Sequence, residues 1–285
     1  MTTLYAVTGA TGQLGGHVAR LLALAGAEQR LIVRDPTRAP RLQGASVAEA
    51  SYDDLPALTS ALTGIDTLFL VSAEESKNRV DVHRRAIDAA ASAGVSRIVY
   101  TSFLAASADC TFTFGRDHFH SEQHIIARGI QHTFLRDSLY LDFVAQLVGA
   151  DGVIRGPGGD GRVAGVARED VARVAAAVML DDTSAHVGAT YDLTGPDTFN
   201  LTEAAEVLTT VTGHATTYVE ETIEEAYQSR AGFGAEPWEV DGWVSTYVSL
   251  AKGELDVVSG DVEQITGERP MTLQEFLANQ EPSTN

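Results

Sequence analysis

The sequence has a single cysteine, Cys110, and so holds neither an internal disulfide nor the thiolate set of a structural zinc site. No segment approaches the ~18 uninterrupted apolar residues that a membrane-crossing helix needs. The opening Met1-Thr2-Thr3-Leu4 brings no basic run ahead of an apolar stretch, as a secretory signal would. Basic residues are few: 20 Lys and Arg against 39 Asp and Glu leave a formal net charge of -19. They are also scattered rather than gathered into a stripe, so the field repels phosphate backbones and excludes nucleic acid as a partner. Repeats, heptad arrays and low-complexity tracts are missing as well. These absences lead us to expect a cytoplasmic protein, neither exported nor bound to membrane, whose acidic surface keeps it dissolved. The eight histidines include His83, His120, His124, His132, His186 and His214, whose spacing suggests no shared metal. Solvated helix surfaces are their expected setting.

What is present is an alternation. At 285 residues, with 44% apolar and 21% charged side chains, the chain can bury a substantial core unaided. Short apolar runs rich in β-branched and aromatic residues predict strands at 4–8, 30–33, 46–50, 67–72, 97–101 and 133–136. Between them, apolar residues at helical spacing predict helices that close on Gly26, Gly64, Gly94 and Gly129, where a C-terminal cap belongs. Strands joined by helices of this length need crossover connections, which produce a parallel sheet covered on both faces. The expected architecture is therefore α/β, a Rossmann-type doubly wound parallel sheet over residues 1–136. A smaller, mostly helical substrate-side region is expected over 137–285, partly interleaved with the sheet around 163–195. There the pattern reads as a helix from Leu139, a glycine-rich loop over 152–161, a helix over 169–180 and a strand over 190–193. Asn200 with Glu203, and Thr272 with Glu275, have capping-box spacing and mark two helix starts.

Gly9-Ala10-Thr11-Gly12-Gln13-Leu14-Gly15 follows the first strand directly and opens the first helix. Glycines at this spacing make a tight turn, admit a pyrophosphate to the main chain and let helix meet sheet. The free N–H groups of Thr11, Gln13 and Leu14 then face an anion with the helix dipole behind them. At the end of the second strand, where an NAD site places a carboxylate for the ribose 2′-OH, stands Arg34, followed by Asp35 and Arg38. A guanidinium there suits a 2′-phosphate. NADPH is the expected cofactor, with NADH the alternative if the strand runs on and Asp35 takes the acidic role.

Together with Val33-Arg34-Asp35-Pro36, Tyr52-Asp53-Asp54, Phe69-Leu70-Val71-Ser72, Tyr100-Thr101-Ser102, Asp117-His118, Leu135-Arg136 and Arg168-Glu169-Asp170, the glycine turn carries a resemblance. Over nearly its full length the chain resembles the NmrA-like family of atypical short-chain dehydrogenases, in particular the NADPH:quinone oxidoreductase and triphenylmethane-reductase-like branch. The resemblance implies that Asp53 lies near the adenine, Val71 and Ser72 along the adenosine and ribose, and Tyr100 to Phe103, with Thr101 and Ser102, beside the nicotinamide. Where ordinary members of the superfamily carry Tyr-x-x-x-Lys, this chain has Phe114 and His118, and phenylalanine donates no proton. The expected reaction is thus hydride transfer, without flavin, to a quinone or similar conjugated acceptor, whose reduced oxyanion needs little acid assistance. Imines, enones and dyes are alternative acceptors, and a non-catalytic NAD(P)(H)-binding redox sensor is the competing function. His118 is expected either to orient or protonate the acceptor or to stand in for lysine at the cofactor ribose. Tyr140, just past the sixth strand, and Thr101 complete the candidate catalytic set. The partner is a small-molecule acceptor, and a homodimer is the base-rate oligomer.

Overall fold

Strands buried on both faces decide where their neighbours lie. The computed structural model describes residues 3–280. In it, β1 (Tyr5–Thr8) and β4 (Thr67–Leu70) are buried at every position, and β5 (Arg97–Phe103) at all but its last. Such strands need helices on both sides, and the elements alternate accordingly: α1 (Gln13–Leu24), β2 (Gln29–Val33), β3 (Ala45–Glu49), α2 (Leu55–Leu62), then β4, α3 (Arg79–Ala93), β5, α4 (Thr113–Ala127) and β6 (Gln131–Asp137). Further on come α5 (Leu141–Gln146), β7 (Val153–Gly156), α6 (Arg168–Leu180) and β8 (Thr190–Leu193). The chain closes with α7 (Leu201–Thr212), β9 (Thr217–Glu220), α8 (Ile223–Arg230), α9 (Pro237–Ala251), α10 (Asp261–Thr266) and α11 (Leu273–Asn279).

Seven strands form one sheet in the order β3-β2-β1-β4-β5-β6-β8, the doubly wound α/β arrangement expected. The central pairs are parallel, with Tyr5 opposite both Gln29 and Thr67, and Leu70 opposite Tyr100. The chain steps outward from β1 to β3, then returns to lay β4 on the other side of β1. That reversal is the switch point, where loops leaving neighbouring strands diverge and a ligand crevice opens beyond their carboxyl ends. One side of the sheet packs Leu58 and Leu62 of α2, Ile87 of α3 and Ile125 of α4 against Leu68 and Ile98. Each such fully buried side chain contributes about 1.5–3 kcal/mol.

The described residues divide into two compact units, the first holding 3–108, 117–136 and 168–191, the second 109–116, 137–167 and 192–280. The second unit is mostly helical but contains a parallel two-stranded ribbon, β7 with β9, Val153 lying opposite Thr217. Residues 153–156 of the expected glycine-rich loop are therefore strand. Gly156 is required there, because a Cβ would sit 2.4 Å from the Tyr247 ring. Both anticipated capping boxes form, and two more, Thr222 with Glu225 and Glu236 with Glu239, start α8 and α9. No helix among the described residues is long and apolar enough to cross a membrane.

Candidate functional site

The turn after β1 is built by exclusion. Gly9 adopts φ +64°, a conformation costly for residues with a Cβ. A Cβ on Gly15 would lie 2.4 Å from the Gly9 carbonyl oxygen and 2.6 Å from that of Thr8, so only glycine lets α1 settle onto the strand. Gly12 is the N-cap of α1 and brings no capping side chain, and α1 has no acidic residue in its first turn. The orphan N–H groups of Gln13 and Leu14 are thus left for an external anion. Thr11 is half-buried and Gln13 exposed at the mouth of the turn. The cradle fits a diphosphate, since side chains at these glycines would occupy the space such a group needs.

β2 stops at Val33, so Arg34 is the first residue beyond it. Asp35 does not face outward as a free acid: it caps the 3-10 turn Pro36–Arg38, accepting from the Thr37 N–H at 2.9 Å and the Thr37 hydroxyl at 2.6 Å. Those hydrogen bonds hold its carboxyl below the usual range. Arg34 is largely exposed, with only a loose 3.9 Å approach to Glu74, and Arg38 ends the turn. Two guanidinium side chains therefore follow the end of β2, while the one carboxylate between them is spent on the turn. Asp53, exposed, is paired with Arg85 at 2.5 Å.

Beyond Leu70 the fourth strand leaves its ladder earlier than the apolar run suggests, because side chains capture its main chain. Thr8 Oγ1 accepts the Val71 N–H at 2.9 Å and lies 2.7 Å from the Tyr52 hydroxyl and 3.1 Å from the Phe69 carbonyl. On the other flank, Thr101 Oγ1 accepts the Ser72 N–H at 2.8 Å and lies 3.5 Å from the Leu70 carbonyl. The Tyr52 hydroxyl donates to the Val71 carbonyl at 2.7 Å. Ala73 is held at both ends: its N–H donates to His83 Nε2, and its carbonyl accepts from Arg79 Nε, each at 2.8 Å. His83 was expected on a solvated helix surface; it is fully buried, a correction that follows from this contact.

The same histidine opens a buried polar network. Since Nε2 of His83 is an acceptor, its proton sits on Nδ1, 2.8 Å from Ser121 Oγ, which in turn donates to the Asp117 carbonyl. Burial and the nearby Arg79 charge keep this imidazole neutral, its pKa pushed down to about 3. Tyr100, fully buried, places its hydroxyl 3.1 Å from His118 Nδ1 and 3.4 Å from His83 Nδ1. His118 is 6% exposed, hydrogen-bonded to the Thr101 main chain, and stacked on Phe103 at 6.2 Å. Burial, then Arg79 and His83, hold its pKa well below the usual imidazole value. Beside this network, buried Glu122 accepts from the Ser102 hydroxyl at 2.6 Å and from Arg136 Nε and Nη2 at 2.9 and 2.7 Å. Ser102 has therefore spent its proton and offers a ligand only an acceptor.

The sheet thus gathers Gly9, Thr11, Gly12, Gln13, Leu14, Val71, Ser72, Tyr100, Thr101, Ser102 and His118 into the first unit, with Arg34, Arg38 and Asp53 after β2 and β3. Tyr140 belongs to the second unit, where its hydroxyl donates to Asp137 Oδ2 at 2.6 Å and its ring lines an apolar cavity with Phe143, Phe199 and Tyr247. That cavity, about 20 Å³, has room for a water molecule and not for a ring. Phe114 is also in the second unit, edge-on to Phe112 and Trp238 and closed over Gly242, whose absent side chain makes space for it. Phe114 is thus a packing anchor of the second unit. Sequence reasoning missed Thr8, Tyr52, Arg79 and His83; the one available signal was a polar residue inside an otherwise apolar strand, Thr8 at the end of β1.

A model of the NmrA-like family matches residues 1–277. The chain belongs to the NmrA-like family. It is 35% identical over 283 residues to quinone oxidoreductase 2 of Escherichia coli, covering 97% of this chain and 98% of the relative. The crystal structure of the NADPH-dependent quinone oxidoreductase from that organism, complexed with NADPH, superposes with a TM-score of 0.87 over 96% of this chain and 98% of the other, at 33% identity. An NAD(P)H azoreductase of Xenophilus azovorans is 29% identical over 275 residues, 95% of each chain. The Citrobacter triphenylmethane reductase complexed with NADP(H) has a TM-score of 0.84 at 29% identity, covering 96% of this NmrA-like chain and 98% of its own.

Proposed function

We propose that this chain is a cytoplasmic NADPH-dependent reductase that passes hydride, without flavin, to a quinone or a similarly conjugated acceptor. The observation that carries the cofactor reading is the pairing of a glycine cradle for a diphosphate with Arg34 and Arg38 after β2, while Asp35 is spent on capping Thr37. The reading is supported by family membership and by relatives named for quinone, azo-dye and triphenylmethane reduction.

When bound, the nicotinamide supplies the hydride. The chain's own residues contribute position. The N–H groups of Gln13 and Leu14 would hold the diphosphate and Arg34 and Arg38 the 2′-phosphate, with the main chain of Val71 to Ala73 on the ribose side. Tyr100, Thr101 and His118 are positioning residues. The Thr101 hydroxyl is committed to β4, the Tyr100 ring is enclosed, and His118 is a neutral ring held by Tyr100 and the Thr101 main chain. None of them is a proton donor to an alkoxide. A quinone suits such a site, because its reduced oxyanion is weakly basic and takes its proton from solvent. Tyr140 is placed on the acceptor side by its position just past the carboxyl end of β6, with its hydroxyl donated to Asp137.

The test is NADPH oxidation, followed by absorbance, against quinones, azo and triphenylmethane dyes, and enones, alongside binding titrations of NADPH and NADH. Turnover on quinones with preference for NADPH is expected. Tight NADPH binding with no turnover on any acceptor would assign the chain to redox sensing instead.

A further inference from the structure

We propose that Arg79 and His83, both on the first turns of α3, are positioning residues that clamp the main chain of Ala73 and thereby set the cofactor-facing course of residues 71–73. The inference rests on the NADPH reading above and goes beyond it, because neither side chain is among the residues expected to border the dinucleotide.

A buried N–H or C=O must find a partner, and at a strand end the partner is ordinarily the neighbouring strand. Here the ladder of β4 with β1 and β5 ends at Phe69 and Leu70. Beyond it, five of the six main-chain polar groups of residues 71–73 pass to side chains: Val71 N–H to Thr8, Val71 C=O to Tyr52, Ser72 N–H to Thr101, Ala73 N–H to His83 and Ala73 C=O to Arg79. Thr8 and Thr101 reach out from the strands beside β4, whereas both bonds of Ala73 come from one helix. Arg79 is 6% exposed and His83 fully buried, so neither bond is in competition with bulk water.

The clamp is also braced from behind. His83 can accept at Nε2 only while its proton stays on Nδ1, and Ser121 Oγ holds it there at 2.8 Å, itself anchored on the Asp117 carbonyl. Arg79 is steadied by the Asp117 carboxylate at 4.0 Å. A helix turn thus fixes both polar ends of one residue in the loop that leaves the switch point, the position from which a small displacement is felt along a bound dinucleotide.

The test combines amide hydrogen exchange on the full chain without cofactor with NADPH titration, at a temperature where every variant is folded. Wild type is expected to protect the amides of 71–73 and to bind NADPH. Arg79→Met and His83→Phe remove the captured groups; each is expected to speed exchange at Ala73 and to raise the Kd for NADPH about tenfold, equivalent to ~1.4 kcal/mol. Arg79→Lys and His83→Gln, which retain a donor and an acceptor, are expected to recover most of both. Ser121→Ala, which touches neither Ala73 nor its neighbours, is expected to weaken binding in the same direction and covers the case in which His83→Phe does not fold. Variants that lose exchange protection yet bind NADPH as wild type does would overturn the clamp while leaving the cofactor reading intact. A wild-type chain that fails to bind NADPH would instead remove the cofactor reading, and the clamp's role with it.

Discussion

At Gly15 a single methyl group decides whether α1 can rest on β1. The Cβ of alanine would lie 2.4 Å from the Gly9 carbonyl, an overlap with main chain that no side-chain rotation relieves. At Gly12 a Cβ would lie 3.3 Å from the Gly9 carbonyl oxygen, a tight contact that a shift of a few tenths of an ångström relieves, and a larger side chain there stands over the N–H groups of the first helical turn. Gly15→Ala is therefore expected to lower unfolding free energy by about 3 kcal/mol or more. Gly12→Val should keep a cooperative transition while losing NADPH affinity by about a hundredfold, the scale of charge-assisted hydrogen bonds denied their anion. Retained affinity in Gly12→Val would show that the diphosphate lies elsewhere. For the adenosine end, Arg34→Ala combined with Arg38→Ala should cut the preference for NADPH over NADH roughly ten- to hundredfold, with NADH affinity little changed. The ratio of the two Kd values reads this directly, and an unaltered ratio would reassign both arginines. The glycine turn was legible in the sequence because its geometry is local. Thr8, Tyr52 and His83 were not, since their partners lie 63, 19 and 10 residues away, and which amide a hydroxyl captures is known only once strands are side by side.

The elements divide along the same line. The apolar run 67–72 reads as one strand, yet β4 ends at Leu70, since burial pattern reports sidedness and not whether the next amide bonds to a strand or to a threonine. Likewise the start of α4 at Thr113 lies ahead of Gly115, which interrupts the helical signal, while Phe114 is fixed by Trp238 and Gly242, and the Thr113 N–H by Ser245 Oγ, all far along the chain. The strands β7 and β9, four residues each with glycine bounding or ending β7, carry too little alternation to register. Helix starts fared better, because a capping box is closed within four residues. In α7, Asn200 Oδ1 accepts the Glu203 N–H at 2.8 Å while Glu203 Oε2 accepts the Asn200 N–H at 3.0 Å. Asn200→Ala is expected to destabilise by about 1 kcal/mol, measured by urea unfolding, without altering NADPH affinity. A loss well under half of that would mean that the helix start is held by packing alone.

For the molecule as a whole, the buried histidines make stability depend on pH with a definite sign. In the unfolded chain His83 and His118 take up protons as pH falls through about 6.5. In the native protein His83 resists to about 3, and His118 is likewise held well below the ordinary value, both chiefly by burial. Their depressed pKa values therefore contribute stability that is complete above the unfolded value and is lost as pH drops from there toward the folded one. With two more protons bound by the unfolded state than by the native, unfolding free energy should fall by up to about 2.7 kcal/mol per pH unit near pH 5. Carboxylates with lowered pKa act in the same direction but lower down; Glu275, at about 2 through its bonds to Arg269 and Thr272, loses its contribution only beneath the ordinary carboxylate range. Between pH 6.5 and 5 the slope consequently belongs mainly to histidine. The formal charge of -19 pulls protons toward both states, which makes the absolute slope a mixed quantity. A difference between variants removes that common field. Urea unfolding of wild type and His83→Gln across this window is expected to give slopes differing by about 1.4 kcal/mol per pH unit, with wild type the steeper. Equal slopes would mean that His83 is protonated in the native protein as readily as in the unfolded chain, and its capture of the Ala73 amide could not then stand.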